Sequence, residues 1–142
     1  MAVQVVVRPP VPVMYVESAT GLAGAAEAFR QLEARLPGLK RRRFYGTFEP
    51  PDGPYRACVA IEPDDDPRAM GLAEWTIPGG KYGRGKLENW ENHIPEIGRT
   101  FERMARECER DPRRPSVEFY RSQKELVLLF PVKEGSRAPQ DS

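Results

Sequence analysis

RRFYGTFEPPDGPYRACVAI, residues 42–61, reads as a strand, a turn and a returning strand. Arg42 to Phe48 is rich in aromatic and β-favouring residues. Glu49-Pro50-Pro51-Asp52-Gly53-Pro54 is a run of turn formers. Tyr55 to Ile61 then alternates, with Tyr55, Ala57, Val59 and Ile61 on one face. This hairpin sets the frame for what lies on either side of it.

Upstream, Thr20 to Leu36 carries Leu22, Ala25, Phe29, Leu32 and Leu36 at helical spacing, and Pro37-Gly38 ends the run. Before it, Val3 to Val16 is rich in β-branched residues and interrupted by Pro9, Pro10 and Pro12, so it reads as one strand with a proline bend or as an edge strand. Downstream, Glu62 to Pro67 is an acidic connector, and the plan then repeats. Gly71 to Gly85 is extended, with a bend at Pro78-Gly79-Gly80. Pro95 to Glu109 is a second helix with Ile94, Ile97, Phe101, Met104 and Cys108 along one face, stopped by Asp111-Pro112. Ser116 to Arg121 and Glu125 to Val132 form a second hairpin around Ser122-Gln123-Lys124.

The expected fold class is therefore α+β: duplicated β-α-β-β units related by a pseudo-two-fold, with two antiparallel sheets or one curved sheet, two helices and a central groove. Repeat one spans about 3–62 and repeat two about 70–132, within a single domain of 1–132. Residues 133–142 form a polar tail expected to be flexible. Aromatic pairs strengthen the match. Phe44-Tyr45 opens the strand after the first helix and Phe119-Tyr120 closes the strand after the second, while Tyr15 and Tyr82 precede the helices. On that alignment Tyr45 and Tyr120 are equivalent and share the groove side.

Bulk properties narrow the function. The chain has 142 residues, 39% hydrophobic and 30% charged, with a formal charge of +1. Near-neutrality provides no general attraction to nucleic acid or anionic membrane, and Lys40 to Arg43 alone does not supply one. No apolar run reaches membrane-spanning length. Cys58 and Cys108 each sit in an apolar segment and read as buried free thiols, which suits a reducing, cytoplasmic setting. His93 is the only histidine, and Asp64 to Asp66 lacks the rest of a calcium loop, so neither implies a metal site. Gly79-Gly80 and Gly83 to Gly85 lack the Lys-Ser/Thr ending of a phosphate loop. No cofactor is implied.

The order of elements resembles the GyrI-like small-molecule-binding domain, the effector-binding fold of bacterial multidrug-sensing transcription activators, in a stand-alone form. The residues that carry the resemblance are Arg43-Phe44-Tyr45-Gly46 running to Tyr55 through Val59, Ile77-Pro78-Gly79-Gly80-Lys81-Tyr82, and Arg114 through Tyr120 running to Leu128 through Val132. The resemblance implies an aromatic-lined groove, with one acid that meets cationic, drug-like ligands. The usual position of that acid holds Val127 here, which leaves Glu118 and Glu125 as the candidates.

The candidate ligand-binding residues are Tyr45, Trp75, Tyr82, Trp90, Glu118 and Tyr120. A half-buried Glu118 beside Tyr120 can pair with a cation or serve as general acid or base. Tryptophan and tyrosine faces stack on planar or cationic ligands. Three readings stay open. The first is a binding protein that sequesters or senses a hydrophobic, aromatic small molecule, cations included. The second is a hydrolase of strained or electrophilic compounds of the cyclopropane type, with Glu118 and Tyr120 as its catalytic pair. The third is a protein-interaction module such as a gyrase inhibitor.

Overall fold

The computed structural model describes residues 3–122 and 124–133. The tail expected over 133–142 lies, after Lys133, outside the described residues. Eight strands and two helices follow in the order β1 (Gln4–Arg8), β2 (Val11–Glu17), α1 (Ala25–Ala34), β3 (Phe44–Phe48), β4 (Tyr55–Ala60), β5 (Ala73–Ile77), β6 (Gly80–Glu88), α2 (Pro95–Glu107), β7 (Ser116–Tyr120) and β8 (Glu125–Pro131). Short 3-10 turns, Gly21–Gly24 and Trp90–Asn92, lead into the two helices.

All strands join one curled antiparallel sheet, in the order β1-β6-β8-β7-β3-β4-β2-β5. The list is its own mirror once β2, β3, β4 and β5 are matched to β6, β7, β8 and β1. The pseudo-two-fold therefore passes between β3 and β7. The two bends expected from Pro9-Pro10 and Pro78-Gly79 do more than interrupt strands. Each sends the strand before it across to the other half: β1 pairs with β6, and β5 pairs with β2. The two crossings touch, since a Cβ on Gly79 would lie 2.7 Å from Pro10 N and 2.8 Å from Arg8 O. Only glycine fits there.

Both helices lie on one face. α1 covers β2 and β4, and α2 covers β6 and β8. Ala28 and Leu32 of α1 pack on Met14, Ala57 and Val59, while Met104 of α2 packs on Leu126, Leu128 and Phe130. The apolar stripes are shorter than their sequence spacing suggests. Leu22 and Ile94 precede the helices proper and stand exposed. Side chains on the opposite face close on one another inside the curl, with Val13, Tyr45, Cys58, Tyr82, Val117 and Val127 among them. Each face thus has its own core, and strand parity decides which one a residue joins.

Polar links tie the halves' margins. Arg42, of the basic run, grips Asp65 of the acidic connector through two hydrogen bonds of 2.5 and 2.8 Å. Arg114 is buried, bonds Asp111 at 3.0 Å and donates to the carbonyls of Lys81 and Val132. Among the described residues no helix is long and apolar enough to cross a membrane.

Candidate functional site

The strand pairing at the pseudo-two-fold brings Gly46 of β3 opposite Glu118 of β7. Carrying β3 onto β7 end to end also places Gly46 on Glu118, Tyr45 on Val117 and Phe48 on Tyr120. The aromatic match read from the sequence is therefore out of frame. Phe44-Tyr45 and Phe119-Tyr120 are not equivalent, and Tyr45 faces away from Tyr120. Tyr45 instead lies opposite Phe119 and stacks on it at 4.8 Å between ring centroids.

Glu118 is only 9% exposed, on the face that carries the helices. Two phenols donate to the same carboxylate oxygen, Oε1: Tyr55 from β4 and Tyr120 two residues along β7, each at 2.7 Å. Among the described residues no donor reaches Oε2, and no cation pairs with the carboxylate. Gly46 makes this arrangement fit. A Cβ there would fall well inside contact distance of both Tyr55 Oη and Glu118 Oε1.

Aromatic rings from α1 and from the turn before α2 pack on these phenols. Phe29 of α1 meets Tyr120 edge-on at 5.3 Å and Tyr55 at 6.3 Å. Trp90, in the turn before α2, meets Tyr120 edge-on at 5.2 Å, and its Nε1 donates to Ser122 O at 3.4 Å. The polar surroundings of Trp90 in sequence are explained by this reach towards the axis.

Burial pushes the Glu118 carboxyl above its usual range, and the two phenol hydrogen bonds pull part of the way back. Burial also raises both phenols, and the adjacent carboxylate raises them further. The tyrosines thus stay neutral donors at physiological pH.

The other candidates lie elsewhere. Tyr82 is buried on the opposite face, under Arg114, and its Oη donates to Pro78 O at 2.5 Å. Trp75 is on that face too, edge-on to Tyr15 at 6.2 Å and covered by Arg56 at 4.7 Å. Val127 joins the core of the same face, and Glu125 lies at its margin within 3.6 Å of Lys86 and 3.3 Å of Arg121. Of the two candidate acids, Glu118 is the buried one, on the face that carries the helices. The sequence reading missed Gly46, Tyr55 and Phe29. Tyr55 shows its signal only in hindsight, as the first residue of an alternating strand whose other inward members are Ala57 and Val59.

Both cysteines are free thiols. Cys58 is fully buried and burial pushes it up to about 12, and Cys108 is buried under α2. Among the described residues no group of three His, Cys, Asp or Glu side chains could hold a metal ion.

No protein-family model matches the chain, and comparison with curated proteins finds no match. Solved structures do match in fold. An integron cassette protein from the mobile metagenome of Vibrio cholerae superposes with a TM-score of 0.70 at 12% identity, covering 94% of this chain and 97% of that one. SAV2435, solved bound to tetraphenylphosphonium, gives 0.60 at 14% identity, covering 94% and 95%. A hydrolase from Listeria innocua gives 0.56 at 12% identity, covering 92% and 90%. These likenesses, over nearly the whole of each chain, are likenesses of fold.

Proposed function

We propose that residues 3–132 form one GyrI-like binding module that holds a hydrophobic, aromatic cation in the groove over Glu118. The observation that carries this reading is a buried carboxylate with two phenol donors and no cationic partner. A charge in that position is costly unless something pairs with it. The surrounding rings of Phe29, Tyr55, Trp90 and Tyr120 offer faces and edges to a flat or delocalised cation. That SAV2435 binds tetraphenylphosphonium in a similar fold supports the same ligand class. Phe29 and Trp90 pack on Tyr120, so entry requires one of them to swing aside. A reducing, cytoplasmic setting is proposed with it, on the two buried free thiols.

The test is calorimetric titration with tetraphenylphosphonium, with tetraphenylborate as the anionic control. Saturable binding of the cation, absent for the anion and lost in Glu118→Gln, supports the reading. Equal binding of both ions, or binding indifferent to Glu118→Gln, overturns it.

The same geometry favours a second reading, hydrolysis. Glu118 would act as base on a water, and a phenol at hydrogen-bond distance would polarise the substrate. Mass spectrometry of recovered strained electrophiles separates the two. A compound returned with the mass of one added water marks an enzyme, and an unchanged one marks a binder.

A further inference from the structure

We propose that the groove is an electroneutral exchanger: it takes up one monovalent cation and releases one proton, which leaves Glu118 Oε2 for solvent. The proposal rests on the cation-binding reading and adds its regulation and its charge stoichiometry.

The stoichiometry follows from the pseudo-two-fold. Glu118 and Gly46 occupy equivalent places in the two halves, so the axis carries one carboxylate and not two. One carboxylate balances one positive charge. A dication would leave a charge unpaired in a site walled by Phe29, Trp90 and the two phenols.

The proton follows from what faces the carboxylate. β3 contributes Gly46, β4 contributes Tyr55, β7 contributes Tyr120, and β8 places Leu128 opposite Glu118 in register. α1 contributes Phe29, and the turn before α2 contributes Trp90. The titratable groups in this set, apart from Glu118 itself, are the two phenols, and both stay protonated. Neither phenol supplies a positive charge, and both point at Oε1. Oε2, the oxygen that neither phenol reaches, is therefore the one that holds the proton whenever the carboxyl is neutral. A cation that enters supplies the missing charge and makes the ionised form the stable one. The exchange balances: neutral acid plus monocation gives carboxylate–cation pair plus a proton in solvent. Below the carboxyl's own midpoint in the free protein, each pH unit then weakens cation binding about tenfold.

Two measurements test this on the intact chain. Carboxyl carbon NMR follows Glu118 in the free protein from about pH 5 to about pH 9, a span that includes the values known for buried glutamates. Calorimetry with tetraphenylphosphonium in buffers of different ionisation enthalpy counts the protons released per ligand bound. The expected result is a protonated Glu118 in the free protein at the acidic end, and about one proton released there per cation, falling to none above the midpoint. A Glu118 ionised across the whole range, or cation binding with no proton release at any pH, overturns the exchange while leaving the binding reading intact. Failure of tetraphenylphosphonium to bind at any pH overturns both. Tyr45→Phe, on the opposite face, keeps the proton count unchanged and guards against a general effect of altered tyrosine content.

Discussion

Gly46 and Glu118 face each other across the β3–β7 pair, and each stands where the other's half has its equivalent position. Two carboxylates there would repel, and two glycines would leave no charge at all. One of each provides a charge and the space to seat it. Gly46→Ala puts a methyl group into the contact between Tyr55 Oη and Glu118 Oε1. We expect a loss of about 1–3 kcal/mol, as for other overpacked core sites, with weakened ligand binding. Urea denaturation and tetraphenylphosphonium titration of the variant measure both.

Tyr55→Phe and Tyr120→Phe each remove one of the two hydrogen bonds at Glu118 Oε1 and keep the ring. Those bonds hold the carboxyl lower than burial alone would. Each variant should therefore raise the Glu118 midpoint further, and the double variant more than either. Carboxyl carbon NMR reads this directly. A midpoint unchanged in both single variants refutes the assigned hydrogen bonds.

Stability should respond to pH through Glu118 with a definite sign. A raised folded-state pKa means the native chain holds this proton more tightly than the unfolded chain does. The contribution is complete below the ordinary value of 4.5, shrinks as pH rises through the folded midpoint, and is gone above it. Glu118→Gln removes that dependence. The stability of the variant relative to the parent should thus grow with pH across that window, by up to about 1.4 kcal/mol per unit, and then level off. Asp65 and Asp111 titrate alike in both proteins and cancel. Paired urea curves at several pH values make the comparison.

Only one face of the sheet should matter for ligand. Tyr45→Phe and Trp75→Phe alter the face opposite the helices and should leave tetraphenylphosphonium affinity within about twofold. Trp90→Leu removes a ring at the proposed groove and should weaken binding about twofold to thirtyfold, the span of a contact worth about 0.5–2 kcal/mol. Affinity lost through Trp75 and kept through Trp90 would move the site to the other face.

Asp111 and Arg114 form a buried ion pair at the end of the sheet. The backbone N–H of Arg113, then the Arg114 and Arg113 side chains, hold the Asp111 carboxyl down to about 2. Its contribution is present above the usual value of 3.8 and is lost as pH falls towards about 2. Asp111→Asn leaves Arg114 buried with its charge uncompensated, and should cost about 3–5 kcal/mol. Thermal unfolding at neutral pH checks the loss.

Much of the fold is legible in local patterns. Helical spacing located α1 and α2, and the alternation of Tyr55, Ala57 and Val59 assigned their face correctly, because both patterns depend on neighbours a few residues away. The duplication is visible for the same reason, as the same order of elements twice. The candidate site was legible only in part. Glu118, Tyr120 and Trp90 come together, whereas Tyr45, Tyr82 and Trp75 lie on the other face. The two Phe-Tyr pairs occupy opposite ends of β3 and β7 and are out of step by three residues. In a strand a shift of an odd number of residues turns every side chain to the other face.

The amino-acid order by itself determined the elements, their proline bends and two candidate acids, Glu118 and Glu125, in apolar strands. The tertiary structure alone decided that β1 and β5 cross to the opposite halves. That exchange depends on two bends far apart in sequence fitting against each other at Gly79 and Pro10. It alone decided, too, that Tyr55 rather than Tyr45 reaches Glu118. That choice rests on the register between β3 and β7 and on the missing side chain of Gly46. Both are relations between residues distant along the chain, and local pattern carries no record of them.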